Sequence, residues 1–211
     1  MKRFLTIIFS FISLITFAQS DSIAYSRDYE FAEGFYLAVN QFKNNDPVPK
    51  SSIISGIPKD QLDFMKQLME QKNIVFTDSR SVEQNIETLT IWGYCQNRSV
   101  YINFNKQFNK LIVIGTLCHF TAMVATSASF RYPMDYNYGF NNNVDVLRQY
   151  VFDTQTNKVF DFNVKTMEML LKNDAILYDQ FMALKKREKP DVIFVYLRKF
   201  NEKYPLYLPV K

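Results

Sequence analysis

Apolar and polar residues alternate along much of the chain up to residue 162, and the spacing becomes helical after residue 163. Alternation of this kind is typical of half-buried strands. The predicted strands are Glu33–Leu37, Ser52–Ile57, Ile74–Phe76, Ile86–Tyr94, Val100–Phe104, Leu111–Ala125, Arg148–Thr154 and Val159–Phe162. The segment Leu111–Ala125 is long and nearly all apolar, which predicts a central strand, bent or bulged near Gly115.

Helical spacing appears in one N-terminal segment and in the C-terminal part. Pro58 opens the first helix at the position that proline favours, and Asn73 stops it. Asn163 and Asp174 are predicted to cap two helices, and a last helix follows Pro190. Strands followed by helices predict an α+β fold. We expect a mostly antiparallel curved sheet with one helix near the N-terminus and two to three C-terminal helices.

The beginning of the sequence has the pattern of a secretory signal peptide. Lys2 and Arg3 precede the apolar run Phe4–Phe17, and the small residue Ala18 lies before Gln19. The run is shorter than the about 20 residues that a membrane-spanning helix needs. We therefore expect cleavage after Ala18.

Cleavage there divides the chain into a signal peptide, residues 1–18, and a single α+β domain, residues 19–211. Residues 19–30 are polar and are expected to be flexible. The residue directly after the cut is Gln19 and not a cysteine, so no thiol at the new N-terminus can carry a lipid anchor. The predicted product is exported and soluble, with no integral membrane segment after cleavage.

Composition limits the classes of partner. The 25 basic and 21 acidic residues give a formal net charge of +4, which falls to +2 once Lys2 and Arg3 are removed. This small excess gives no support to a nucleic-acid partner. The charged segment Lys185–Lys189 is interpreted as a solvated helix end, with contact to a membrane surface as the alternative.

The two cysteines raise the question of a disulfide, because an exported protein meets an oxidising compartment. In a meander of the predicted strands, Cys95 lies opposite Val100, and Val100 lies opposite about Ile114. Cys118 is then two strands away from Cys95, too far for a bridge. We predict two buried thiols.

No catalytic residue, metal site or cofactor is predicted. His119 is the single histidine, and its neighbour Cys118 points to the opposite face of a strand, so the two side chains cannot form a catalytic pair. A histidine-based zinc site needs more ligands. The segment Asp135–Asp145 places oxygen side chains at alternate positions, but its glycine is fifth and not sixth, which argues against a calcium loop.

The segment Arg131–Asn143 suggests a binding loop. Tyr132, Tyr136, Tyr138 and Phe140 alternate with asparagines, and exposed aromatic rings with amides can stack on and hydrogen-bond a sugar or a peptide. The alternative is that these rings pack beneath the loop and fix it. These four residues are the predicted ligand-binding residues.

Several stretches together resemble a family of exported proteins of unknown function from Bacteroidota. The stretches are Glu33–Leu37, Gln41–Asn45, Trp92–Cys95, Val100–Asn103, Val159–Asn163 and Tyr196–Leu206. The resemblance covers nearly all of residues 19–211 and implies export and a single domain, but it brings no activity. Surface proteins of that group often end in a β-sandwich sorting domain. The C-terminus here is predicted to be helical, which favours the periplasm over the cell exterior.

These observations predict a non-enzymatic binding or accessory protein of the cell envelope, with an unidentified envelope ligand or protein as its partner. The alternative is a hydrolase that acts on an envelope polymer. An enzyme would need convergent polar groups in a concave pocket, and that feature distinguishes the two hypotheses.

Overall fold

A computed structural model describes residues 21–128 and 142–210, with side chains over 21–125 and 145–210. Its strands are β1 (Ser22–Ala24), β2 (Gly34–Tyr36), β3 (Val48–Pro49), β4 (Ile53–Ile54), β5 (Asn73–Thr77), β6 (Glu83–Glu87), β7 (Gly93–Gln96), β8 (Ser99–Phe104), β9 (Gln107–Val113), β10 (Leu117–Ala128), β11 (Asn142–Asp153), β12 (Lys158–Asp161) and β13 (Tyr207–Pro209). Its α-helices are α1 (Val39–Lys43), α2 (Phe64–Met69), α3 (Val164–Leu171), α4 (Ala175–Met182) and α5 (Lys189–Lys203).

Eight strands form the large sheet, in the order β12-β11-β10-β9-β8-β7-β2-β3. A three-stranded sheet, β4-β5-β6, and a two-stranded sheet, β1-β13, accompany it. The strand pairs are antiparallel. The predicted α+β class with antiparallel sheets is therefore confirmed, with helices α3, α4 and α5 in the C-terminal part.

One face of the large sheet holds an aromatic core. Because side chains alternate along a strand, Cys118 and Phe120 of β10 lie on this face together with Phe152 of β11. Phe42 of α1 joins them and stacks on Trp92, with ring centroids 4.9 Å apart. The aromatic content of the chain is thus used largely for packing.

The opposite face of the large sheet has two covers. Helices α3, α4 and α5 pack against β10 and β11 through Leu117 and Val151, and we call this the helix-covered region. Helix α2 and the three-stranded sheet pack against Phe35 of β2 and Tyr94 of β7. The two covers leave different surroundings for the polar side chains of this face.

The predicted caps of the C-terminal helices are confirmed. Asn163 Oδ1 accepts a hydrogen bond from the Thr166 backbone N–H at 2.9 Å. Asp174 Oδ1 accepts from the backbone N–H groups of Ile176 and Leu177 at 3.0 and 3.1 Å. Pro190 lies in the first turn of α5, where its missing N–H costs nothing.

Several predicted element boundaries are wrong. The predicted strand Ile86–Tyr94 is two strands of different sheets, β6 and β7, separated by a short helical turn at Thr88–Thr90. The segment Leu111–Ala125 is not one bent strand, because β9 and β10 are separate antiparallel neighbours that turn at residues 114–116. Gly115 lies in this turn, where a Cβ atom would stand only 2.4 Å from Asn201 Nδ2. The helix predicted to begin at Pro58 is α2, which begins at Phe64. The Pro58 carbonyl instead accepts a hydrogen bond from the Gln61 backbone N–H in a turn.

Residues 19–30, where we expected flexibility, include β1. Ser22 and Ala24 pair with Pro209 and Tyr207 of β13. Tyr29 donates a hydrogen bond to the Pro209 carbonyl at 3.1 Å. The start of the described chain is therefore tied to its end.

Candidate functional site

The predicted ligand-binding residues Tyr132, Tyr136, Tyr138 and Phe140 lie outside the described residues. The strands that lead into and out of their segment, β10 and β11, pair over twelve positions, from Leu117–Asp153 to Ala128–Asn142. Ligand binding by these four residues stays a prediction. The described part of the chain offers a candidate site elsewhere.

His119 lies in the helix-covered region and is 3% exposed. Its ring contacts those of Phe162 and Phe194, with centroids 4.9 and 4.7 Å away. Its Nε2 lies 3.1 Å from Gln149 Oε1. Burial lowers the pKa of His119, and the bond to Gln149 opposes this shift only in part. These surroundings describe a packed ring without access to a substrate.

The two cysteines are buried thiols and not a disulfide. Cys118 Sγ lies 3.2 Å from the carbonyl oxygen of Gly115, and Cys95 Sγ lies 3.8 Å from that of Phe31. Burial raises the pKa of Cys118 to about 12, so its reactive thiolate form is suppressed at neutral pH. Cys118 and His119 lie on opposite faces of β10.

The candidate site is a cleft of about 510 Å³ between α2 and the strands β7, β8 and β9, which we call the tyrosine cleft. Its apolar and aromatic lining consists of Met69, Leu89, Tyr94, Tyr101 and Phe108. Its polar lining consists of Lys66, Glu70, Gln96, Lys106 and Gln107. The lining is divided evenly between apolar and polar residues, so this cleft is more polar than the usual small-ligand site.

Two stacked tyrosines form the centre of the lining. Tyr94 and Tyr101 are directly opposite each other on β7 and β8. Their ring centroids are 4.6 Å apart and their planes differ by 7°. The edge of Phe108 meets Tyr94 at 5.3 Å. Tyr94 is 4% exposed and Tyr101 is half-buried, so Tyr101 is the outer ring of the stack.

The Tyr94 hydroxyl is a neutral donor and acceptor. Burial raises the pKa of Tyr94 well above its ordinary value, and the nearby Tyr101 and Glu70 raise it further. Over the described part of the chain, neither the Tyr94 nor the Tyr101 hydroxyl has a hydrogen-bond partner. These hydroxyls can therefore bond to a ligand without breaking a bond of the fold.

A glutamine fixes the position of α2 beside the strands. Gln96 Oε1 accepts a hydrogen bond from the Lys66 backbone N–H at 2.9 Å. The other end of the amide, Nε2, donates to the Leu62 carbonyl. Since Gln96 belongs to β7, this amide holds the helix wall of the cleft at a set distance from its floor.

The charged groups of the cleft are not used by the fold. Lys66, Lys106 and Glu70 are exposed, and among described residues their side chains take part in no hydrogen bond or salt bridge. Lys110 is the cross-strand partner of Tyr101, so alternation places it on the same face, but it is not part of the lining. The lining of the cleft thus offers two ammonium groups and one carboxylate around an aromatic floor.

Sequence reasoning missed this cleft, although the signal for part of it was present. The predicted hairpin puts Cys95 opposite Val100, and the same register puts Tyr94 opposite Tyr101, as the structure shows. A cross-strand pair of tyrosines on one face is therefore readable from the hairpin alone. The contribution of α2 is not, because it depends on a contact between Gln96 and residues about 30 positions away.

Other features of the described chain do not suggest catalysis by a metal. No group of three or more His, Cys, Asp or Glu side chains capable of holding a metal ion occurs among residues 21–125 and 145–210. Of the described helices, none has the length and hydropathy needed to cross a membrane.

The fold and the cleft together define an α+β domain whose antiparallel sheet carries an aromatic, positively rimmed cleft. The chain belongs to the family of unknown function DUF6563, whose model matches residues 34–204. The matched range includes both walls of the tyrosine cleft. Comparison with curated proteins and with solved structures gives no match.

Proposed function

We propose that this chain is an exported, non-enzymatic binding protein of a Bacteroidota cell envelope, and that its ligand occupies the tyrosine cleft. The observation that carries the proposal is the stacked pair Tyr94 and Tyr101 in the floor of that cleft. The pair has one accessible ring and two hydroxyls without a partner among the described residues. Aromatic rings with a polar end suit a ligand that has an apolar face and hydrogen-bonding groups.

Support for export comes from the sequence. Lys2 and Arg3, the apolar run Phe4–Phe17 and Ala18 have the order of a secretory signal peptide. The resemblance to exported Bacteroidota proteins agrees with this order.

Binding is favoured over hydrolysis by the groups in the cleft. Glycoside hydrolysis usually uses two carboxylates on either side of the bond that breaks. The described lining of the cleft holds one carboxylate, Glu70, and no histidine. The hydrolase alternative predicts that a bound polymer is cut, and product analysis after incubation would reveal it.

Export is tested by expressing the full chain with a C-terminal tag in a Bacteroidota host. The expected result is tagged protein in the periplasmic fraction whose first residue is Gln19, determined by mass spectrometry. Protein that keeps residues 1–18 and stays in the cytoplasm would refute the export part of the proposal.

The binding site is tested in the same cells with a photo-crosslinking amino acid at position 70, an exposed position in the lining of the cleft. We expect a crosslinked envelope product that disappears when Tyr101→Leu is added. Thermal unfolding of Tyr101→Leu serves as the control that the variant is folded. An equal yield of the product in the variant would show that the ligand does not bind in the cleft. The double variant Tyr136→Ala, Tyr138→Ala then tests binding by the predicted loop.

A further inference from the structure

We infer that the ligand of the tyrosine cleft is an acidic glycan, in which a pyranose ring lies on Tyr101 and a carboxylate meets the lysines of the rim. This inference rests on the proposed function, because it assigns a ligand class to the same site. It follows from three properties of the cleft: the exposed ring, the size of the space and the sign of the charge.

Tyr101 is the outer ring of the stacked pair. Tyr101 has one face against Tyr94, at 4.6 Å, and is the more exposed of the two rings. The face of an aromatic ring carries negative partial charge, and the C–H groups on one side of a pyranose carry positive partial charge. A sugar ring can therefore lie on Tyr101 while its hydroxyls bond to neighbouring polar groups.

The size of the cleft suits a short oligosaccharide. A space of about 510 Å³ lies within the range of ordinary small-ligand sites. The hydroxyls of Tyr94 and Tyr101 can serve hydroxyl groups of a sugar. Gln96 is already bonded to α2 and is not needed for the ligand.

The positive charge of the lysines around the cleft favours an acidic ligand over a neutral one. Lys66 comes from α2, and Lys106 lies beside the start of β9, so ammonium groups approach the cleft from two walls. Glu70 is the single carboxylate of the lining and is outnumbered. Because these lysines have no described ion-pair partner, a ligand carboxylate meets no competing anion on them.

A carboxylate-bearing pyranose glycan has two sources in this setting. Cell-wall glycan carries the lactyl carboxylate of N-acetylmuramic acid, and polyuronates carry a carboxylate on each ring. The shared chemistry is a sugar ring with an attached carboxylate, and the choice between the sources is a matter for experiment.

The experiment compares acidic glycans with neutral counterparts. The mature chain, 19–211, is titrated with tetragalacturonate and with its methyl ester, and with N-acetylglucosaminyl-N-acetylmuramic acid and N,N′-diacetylchitobiose. Binding is measured by calorimetry and by the amide NMR shifts of Tyr101 and Gln107. We expect one acidic member to bind about tenfold more tightly than its neutral counterpart, and the difference to shrink in high salt.

Variants assign the preference to residues. The pair Lys66→Gln, Lys106→Gln should abolish the preference for the acid, so that the acidic and neutral members bind with equal affinity. The pair Lys185→Gln, Lys186→Gln removes the same charge from exposed positions outside the cleft and should preserve the preference. Tyr101→Leu should weaken binding of both members.

The outcomes separate this inference from the proposed function. Equal affinity for the acidic and neutral members would overturn the acidic ligand and leave a glycan-binding cleft in place. Absence of shifts at Tyr101 and Gln107 with all four glycans would overturn the glycan class. In that case the crosslink from position 70 still decides whether the cleft binds any envelope ligand.

Discussion

The helix-covered region and the tyrosine cleft share one sheet but use polar side chains in opposite ways. In the helix-covered region, Asn201 Oδ1 accepts from the Leu117 backbone N–H, and Asn201 Nδ2 donates to the Leu117 carbonyl, both at 2.8 Å. Lys203 pairs with Asp174 at 2.5 Å, in contrast to the unpaired lysines of the cleft. Asn201, Asp174 and Lys203 of the helix-covered region have partners within the fold, whereas the lysine side chains and the tyrosine hydroxyls of the cleft have none among the described residues.

Because of this difference, we expect the residues that stabilise the fold and the residues that bind a ligand to lie in different regions. A buried polar group that loses its partner costs free energy, so changes in the helix-covered region should destabilise the chain. Exposed groups without partners contribute little to stability. Changes at the cleft should therefore alter binding and leave unfolding nearly unchanged.

The largest effect on stability is expected from Gly115→Ala. The added Cβ would lie 2.4 Å from Asn201 Nδ2 and 2.5 Å from Asn201 Cγ. Asn201 cannot move aside without losing both bonds to Leu117, so we expect a loss of about 2–3 kcal/mol in the free energy of unfolding. Urea unfolding measures it.

Two variants control for this effect. Gly56→Ala meets no atom within 4 Å and should change the free energy of unfolding by less than about 1 kcal/mol. In an Asn201→Ala background, Gly115→Ala should cost much less than in the native chain, because the clash is gone. Equal cost in both backgrounds would show that the Asn201 contact is not the cause.

A smaller effect is expected when the pH falls. Burial lowers the pKa of His119 in the folded chain, so the unfolded chain binds the proton more readily. The stabilisation is present above the ordinary pKa of about 6.5 and is lost as the pH falls toward the folded pKa, by at most about 1.4 kcal/mol per pH unit. The measurement is urea unfolding between about pH 7.5 and pH 5.

The variant His119→Phe isolates this contribution, because the chain has one histidine. A phenylalanine can join Phe162 and Phe194 and cannot be protonated. The dependence of stability on pH should be shallower in the variant over this range. The same slope in both proteins would mean that His119 is not the group responsible.

The smallest effect on stability is expected in the cleft itself. Lys66→Gln with Lys106→Gln should change the free energy of unfolding by no more than about 0.5 kcal/mol, because neither side chain has a partner in the described part of the chain. Lys203→Gln, which takes the partner from Asp174, should be clearly more destabilising. A loss above about 1 kcal/mol from the cleft pair would contradict the division between the regions.

The sequence predicts local features of this fold well and its long-range contacts poorly. The caps Asn163 and Asp174 and the hairpin of β7 and β8 depend on neighbouring residues, so patterns reveal them. The split of Leu111–Ala125 at Gly115 depends on Asn201, a residue far along the chain, which a local pattern does not contain. The tyrosine cleft has both kinds of feature, since the hairpin register predicts its floor and tertiary packing adds its α2 wall.

The most direct test of the division is a photo-crosslinking amino acid placed in each region and compared in the same cells. Position 70 is exposed and lies in the tyrosine cleft, and Val195 is 45% exposed on α5. We predict an envelope crosslink from position 70 at several times the yield from position 195. A crosslink from position 70 that is lost in Tyr101→Leu assigns the contact to the cleft. Equal yields from the two positions, or a crosslink from position 195 alone, would contradict the claim that the cleft is the binding surface.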